Sequence, residues 1–258
     1  MRSYLVSLGL LAALPLCAGD EVGRWNLDIH SMNGTLDGHY IGVDNSQPFR
    51  VDLKNDLGLV RDKSKAGFGL EYQGHRFGLE VSMDGQDYVG SNTITRSVTI
   101  NGQTFNVGAK VTSTVKSTTT VVNWTIRALS FDHVWLGIDL GARGVSLDMK
   151  AAGYEPFSTF SATAAYKIDY PVPQIGVSAG FNAFGGRVVG RGFYHCPKYS
   201  GASYIVTGAD LRVFPLSWLG VRAFTSTAKL DVPRGSINKD IDITLDQSGS
   251  GFGVVLRF

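Results

Sequence analysis

Charge is scarce in this chain, and neither sign dominates. Asp, Glu, Lys and Arg together make 18% of the 258 residues, below the usual quarter or so. Basic side chains number 24 and acidic ones 22, a net charge of +2. Such a balance lacks the basic stripe that a phosphate backbone demands, so no nucleic-acid partner is expected. Cysteine is nearly absent: of Cys17 and Cys196, the first falls in an N-terminal leader, and a lone Cys196 makes no internal disulfide. Past residue 20 no apolar run is long enough to cross a bilayer as a helix, and no stretch sustains a 3.6-residue period. Metal-ligand spacing, phosphate loops and nucleophile elbows are missing as well, so no metal and no cofactor are implied.

The leader is read from three features. Arg2 supplies a positive start, Tyr4 to Leu16 a compact apolar core, and Cys17-Ala18-Gly19 small residues for cleavage. Residues 1–19 are therefore expected to be a secretory signal peptide, leaving 20–258 as the folded chain. A lipid anchor on Cys17 would want a small residue before it, and Leu16 stands there.

The mature chain alternates with period two. Trp25, Leu27 and Ile29 are apolar around Asn26, Asp28 and His30; Phe77, Leu79, Val81 and Met83 enclose Gly78, Glu80 and Ser82. Val122, Trp124 and Ile126 enclose Asn123 and Thr125; Val134, Leu136, Ile138 and Leu140 enclose Gly137 and Asp139. Successive side chains of a strand point to opposite faces, so each strand has one apolar face and one of glycine and charge. Glycine is correspondingly abundant, at 32 residues. An apolar exterior with a polar interior is the pattern of a transmembrane barrel. The fold class expected is thus all-β, an antiparallel up-and-down transmembrane β-barrel.

Strands are read at 24–32, 66–73, 76–100, 103–129, 133–150, 157–182, 187–196, 201–214, 218–232 and 240–258, giving about ten, with eight or twelve as alternatives because 34–65 is hard to assign. Short links fall at Gln73-Gly74-His75, Ser130-Phe131-Asp132, Phe184-Gly185-Gly186 and Pro215-Leu216-Ser217. The Ser-, Thr- and Val-rich segment 86–118 turns at Asn101-Gly102, a hairpin signal, and is expected to project as an extracellular hairpin. The apolar phase flips near Gly85 and Val121, which suggests bulges. Trp25, Phe131, Tyr154, Phe160, Phe214 and Trp218 are candidate interface aromatics.

At the C-terminus, Phe252, Val254, Leu256 and Phe258 share one face. A last strand ending in Phe resembles the assembly signal of bacterial outer-membrane barrels. The wider chain resembles a group of poorly characterised bacterial outer-membrane β-barrel proteins. The resemblance rests on Val51-Asp52-Leu53-Lys54-Asn55-Asp56-Leu57-Gly58-Leu59, on Asn101-Gly102-Gln103-Thr104-Phe105, on Pro173-Gln174-Ile175-Gly176 and on the final strand. It implies an outer-membrane location, outer-membrane lipids as surroundings and recognition of the last strand by the barrel-assembly machinery; the even strand number is expected to return both termini to the periplasm. The resemblance implies no activity and no catalytic residues.

Two groups could carry chemistry. Asp52, Lys54 and Asp56, in 34–65, form a loop or plug-like segment that could gate the lumen or hold a cation; the plainer reading is a turn whose leucines cover one barrel end. Asp28, Glu71, Glu80, Arg127, Asp139, Arg143, Asp210, Arg212, Arg222 and Arg257, with His30, are expected inside the barrel. Mixed charges in a narrow lumen favour a structural network over a conducting path. The expected function is accordingly structural or surface-interacting, with a mostly filled lumen. A narrow solute channel is the first alternative. A rim hydrolase of lipid or peptide is the second, with Asp37 and His39, spaced to share a face in a surface loop, as its dyad.

Overall fold

The computed structural model describes residues 23–44, 47–95, 97–100, 103–154, 161–199, 201–236 and 242–258. The leader, the Asn101-Gly102 turn and Phe160 lie outside these. Strands alone organise the described residues: β1 (Arg24–Asp44), β2 (Gln47–Asp52), β3 (Leu59–Ser64), β4 (Ala66–Gln73), β5 (Phe77–Thr93), β6 (Val98–Ile100), β7 (Gln103–Phe105), β8 (Lys110–Ser130), β9 (Val134–Tyr154), β10 (Ser161–Ala183), β11 (Val188–His195), β12 (Lys198–Tyr199), β13 (Ala202–Val213), β14 (Leu219–Val232) and β15 (Asp242–Arg257).

Ten of them form the wall. β1, β4, β5, β8, β9, β10, β11, β13, β14 and β15 follow one another round a ring, and the pairing of β1 with β15 closes it. Every pair in the ring is antiparallel and adjacent in chain order, apart from the first-to-last pairing and the short strands skipped at the far end. The first and last described residues lie at one end, where Trp25 N–H donates to Phe258 O at 2.8 Å. This proximal end also holds the four short links; the longer connections lie at the distal end.

Most of the described residues of 34–65 build wall, around one turn. β1 runs on through Asp44, and β2 returns along its distal part from His39 opposite Asp52 to Asp44 opposite Gln47. β4 has only eight residues, so β1 and β5 lose their shared neighbour beyond it. β2 and β3 fill that gap, β3 pairing with distal β5. The turn between them is closed by its own acids. Asp52 Oδ1 accepts the Lys54 and Asn55 N–H groups at 3.0 and 2.7 Å, and Asp56 Oδ2 accepts that of Asp52 at 2.8 Å. Leu53, Leu57 and Leu59 are buried beneath it. The segment 86–118 divides similarly: its outer parts continue as β5 and β8, while Ile94, Phe105 and Ala109 fold into the distal interior.

The apolar phase flips without a bulge. β5 pairs with β8 in unbroken register from Phe77 opposite Ile126 to Thr93 opposite Lys110. Irregularities fall instead at Leu59/Arg61 and Arg127/Leu129. In β8 the odd positions from Val111 to Thr125 stay inward throughout. What inverts is polarity. Toward the termini the outward residues are Val122, Trp124 and Ile126 and the inward ones Asn123 and Thr125; toward the far end Thr112, Lys116 and Thr120 face out while Val111, Val115 and Val121 face in. The distal interior is one apolar cluster, including Leu36, Tyr88, Val115, Leu147, Val172, Tyr204 and Leu245. A transmembrane strand needs about 9–11 residues, so roughly half of the 21-residue β8 and β9 stands outside an apolar layer.

Of the candidate interface aromatics, Phe131 and Trp218 are exposed at the proximal end and Tyr154 at the distal one, whereas Phe214 is buried beneath Arg257. Trp25 is half-buried against Tyr72. Phe252, Val254, Leu256 and Phe258 are all exposed on the outer face of β15 and the residue after it.

Candidate functional site

The inward positions of the proximal half meet across the barrel in a charge network. Around β13, Arg212 joins Asp210 (Nε to Oδ1, 2.9 Å) and Glu71 of β4. Arg222 of β14 reaches Asp28 of β1 at 2.9 Å and Asp210 at 3.6 Å. His30 sits between two carboxylates, Nδ1 to Asp28 and Nε2 to Asp84, each at 2.5 Å. Opposite, Arg191 of β11 reaches Glu80 at 2.8 Å and Asp139 at 3.6 Å. Asp139 is wholly buried and also takes bonds from Thr125 (2.5 Å), Ser178 (3.0 Å) and His195 Nε2 (2.9 Å).

The remaining luminal candidates lie at the edges of this network. Arg257 donates to Asn26 Oδ1 at 3.1 Å and to Gly186 O at 2.8 Å, and stacks on Phe214. Arg127 lies over Trp135, 4.7 Å from the ring centre. Arg143 marks the border with the apolar half, donating to Gln174 at 3.1 Å and facing the Tyr204 ring. Asp52, Lys54 and Asp56 lie apart, at the distal end, with the two carboxylates taken up by backbone N–H groups of their own turn.

Sequence reasoning passed over Arg191, His195 and Asp84 as members. The partner of His195 lies 56 residues away on another strand. In β11 the outward positions next to Arg191 are Gly190 and Gly192, so no apolar stripe advertises the alternation. The usable signal was the i, i+2 series Val189, Arg191, Phe193, His195.

The lumen is a series of unequal spaces. A chamber of about 100 Å³ lies between the network and the apolar cluster, lined by His30, Asp84, Glu80, Arg191 and Arg222 among others. It is large enough and polar enough to hold ordered water. The buried Nε atoms of Arg191 and Arg222 have no partner among the described residues, and waters in the chamber would supply acceptors. Toward the termini the lumen shrinks to a void of about 10 Å³ between Glu71, Glu80, Thr125, Arg127, Trp135 and Arg191. Toward the far end Gln86, Tyr88 and Gln247 hydrogen-bond in a trio, and above it the interior is apolar.

Chemically the network holds charges in place. No group of three or more His, Cys, Asp or Glu among the described residues is arranged to hold a metal ion. Asp37 and His39 face outward from β1, and no hydrogen bond joins them among the described residues. Asp37 Oδ1 accepts the Gly38 N–H at 2.7 Å and stands opposite Asp246; His39 stands opposite Thr244 and Asp52.

No protein-family model matches this chain, and no curated protein matches it in sequence. Solved structures do match in shape. The outer membrane protease OmpT from Escherichia coli is similar over 91% of this chain and 97% of its own, with a TM-score of 0.59 at 10% identity. The translocator domain of the autotransporter NalP from Neisseria meningitidis covers 93% of this chain and 90% of its own at 10% identity, with a TM-score of 0.43. Only the first is close enough to carry weight, and at that identity it speaks of fold alone. The chain has the closed antiparallel barrel of bacterial outer-membrane proteins.

Proposed function

We propose that the protein is an outer-membrane barrel of structural or surface-interaction type, whose distal half stands above the bilayer as a rigid, closed platform. The observation that carries this is the apolar cluster filling the distal interior, from Leu36 and Val115 to Tyr204 and Leu245. A pore needs water along its whole length, and a packed apolar interior excludes it. The polar outer face of the same strands supports a setting in water beyond the lipid. Rigidity suits presentation, because loops carry recognition best on a fixed scaffold.

On this reading residues 1–19 direct export and are removed, the termini lie in the periplasm, and the apolar belt meets outer-membrane lipids. The exposed face formed by Phe252, Val254, Leu256 and Phe258 is the part the barrel-assembly machinery reads. Neither a cofactor nor a nucleic acid takes part. The test is single-channel recording of the folded protein in a planar bilayer, with folding checked by heat-modifiable gel migration. A silent membrane is expected. Discrete, reproducible current steps would replace this reading with that of a narrow channel.

A further inference from the structure

Behind the charge network, the proximal mouth has a different chemistry. It opens as a vestibule of about 790 Å³, with Arg24, Arg127, Arg257, His75 and His133 on its lining against Asp132 as the acidic side chain. Deeper in, Arg191, Arg212 and Arg222 each face a carboxylate. Here two arginines face each other. Both guanidinium groups approach the place where a side chain on Gly186 would begin, Arg24 Nη1 at 2.9 Å and Arg257 Nη1 at 3.8 Å from it. Gly186 has a φ of +80°, a backbone state that favours glycine and so leaves that space clear.

The donors around this point outnumber the acceptors. Arg257 is fixed by Asn26 Oδ1, Gly186 O and the Phe214 ring, none of which carries negative charge. Asn26 is buried and its Nδ2 has no acceptor among the described residues. Arg24 has neither a hydrogen-bond acceptor nor a carboxylate among them. Arg24 is exposed, so water screens the pair in part, but two like charges converging on one point still favour an anion between them. The group that matches is compact, accepts only, and offers oxygens in several directions to planar N–H forks.

We propose that the vestibule binds a phosphate group between Arg24 and Arg257 over Gly186. Free phosphate or the headgroup of a membrane phospholipid could supply it. The mouth can reach the second source, because Phe131, Phe184, Trp218 and Phe258 are exposed around this end and aromatic side chains of this kind favour the membrane–water interface.

The experiment is calorimetric titration of inorganic phosphate into the full-length folded protein in maltoside micelles. One saturable site is expected. Arg24→Gln should weaken it about tenfold, the loss of one charge-assisted bond, and Arg24→Lys should recover part of that. Because Arg24 has no partner among the described residues, its replacement should leave heat-modifiable migration and the denaturation midpoint unchanged. Glycerol 3-phosphate then separates the sources. Competition with phosphate supports the site and points to a lipid headgroup; phosphate binding without competition supports the site and points to the free ion. No saturable binding of either probe, or equal phosphate affinity in Arg24→Gln, overturns the proposal.

Discussion

In β9 the outward residues near the termini are Val134, Leu136, Ile138 and Leu140, and toward the far end they are Ser146, Asp148 and Lys150. The inward residues run the opposite way, from Gly137 and Asp139 to Val145, Leu147 and Ala151. The backbone does not change between the two stretches, and β9 pairs with β10 in one continuous register from Tyr154 to Val134. Strand geometry decides which way a side chain points. Which side is dry decides what that side chain is. In the proximal half the apolar side is outside; in the distal half it is inside, where the strands enclose their own core. On the reading proposed above, one wall joins a membrane-facing half to a half that stands in water.

The two interiors should fail differently. Removing one member of the proximal network leaves its partners buried and unpaired, which costs about 3–5 kcal/mol. Asp139→Ala is the sharpest case, since Thr125, Ser178, His195 and Arg191 all turn to that carboxylate. The expected result is a loss of that size in the urea-unfolding free energy of protein folded into lipid vesicles. A change below about 1 kcal/mol would mean that water already screens the network and that the proximal lumen is wet.

Next comes Leu147→Ala in the distal cluster. It removes buried apolar volume and should cost about 2–4 kcal/mol. The comparison adds a second readout. With the distal half above the bilayer, as proposed, this cost should be the same in thin and thick bilayers. A cost that tracks bilayer thickness would place the distal half within the membrane and collapse the distinction between the halves.

This inversion also explains what sequence alone could and could not give. Strand number and the short proximal links are legible, because Gln73-Gly74-His75 and Phe184-Gly185-Gly186 interrupt a clear alternation. Residues 34–44 read as loop although they are barrel wall. Their outward positions Thr35, Asp37 and His39 are polar, and their inward ones alternate Gly34 and Gly38 with Leu36. The pattern that marks a lipid-facing strand is therefore missing. The apolar phase change near Val121 suggests a bulge for the same reason: a hydrophobic pattern records solvent, and backbone direction only through it. Within the site, alternation singles out Asp28, Glu71, Asp139, Asp210 and Arg212 strand by strand. It cannot say that Asp139 meets Arg191 and His195, because such pairs depend on how the ring closes.

The exterior offers the same comparison at lower stakes. Ile138 faces out in the apolar belt, and Thr112 faces out on distal β8. A lysine on the lipid face of a barrel costs about 2–4 kcal/mol at mid-membrane and falls toward zero at the interface. Ile138→Lys should show a penalty in that range, while Thr112→Lys should stay within about 0.5 kcal/mol of the parent. Equal penalties in vesicle-based unfolding would mean that the belt has been drawn at the wrong height.

The smallest effect concerns glycines and tests packing within the wall. Gly180 stands opposite Trp135 across β10 and β9, and a Cβ there would lie 2.5 Å from the indole ring. Phe193 over Gly208 and Phe224 over Gly251 repeat the arrangement across other strand pairs. In each case the glycine makes room for the ring opposite it, so that an aromatic side chain can lie flat along the barrel interior. Gly180→Ala must push the indole aside, away from Arg127, and should cost about 1–2 kcal/mol. Gly144 lies outward near the polarity border, with nothing within 4 Å of its missing Cβ. There the same substitution only narrows the unfolded ensemble and should stabilise by about 0.4–1 kcal/mol. Opposite signs for one chemical change are the expected outcome, read from paired urea midpoints. If both variants gain stability, Trp135 has another place to go, and the glycine is there for the strand and not for the ring.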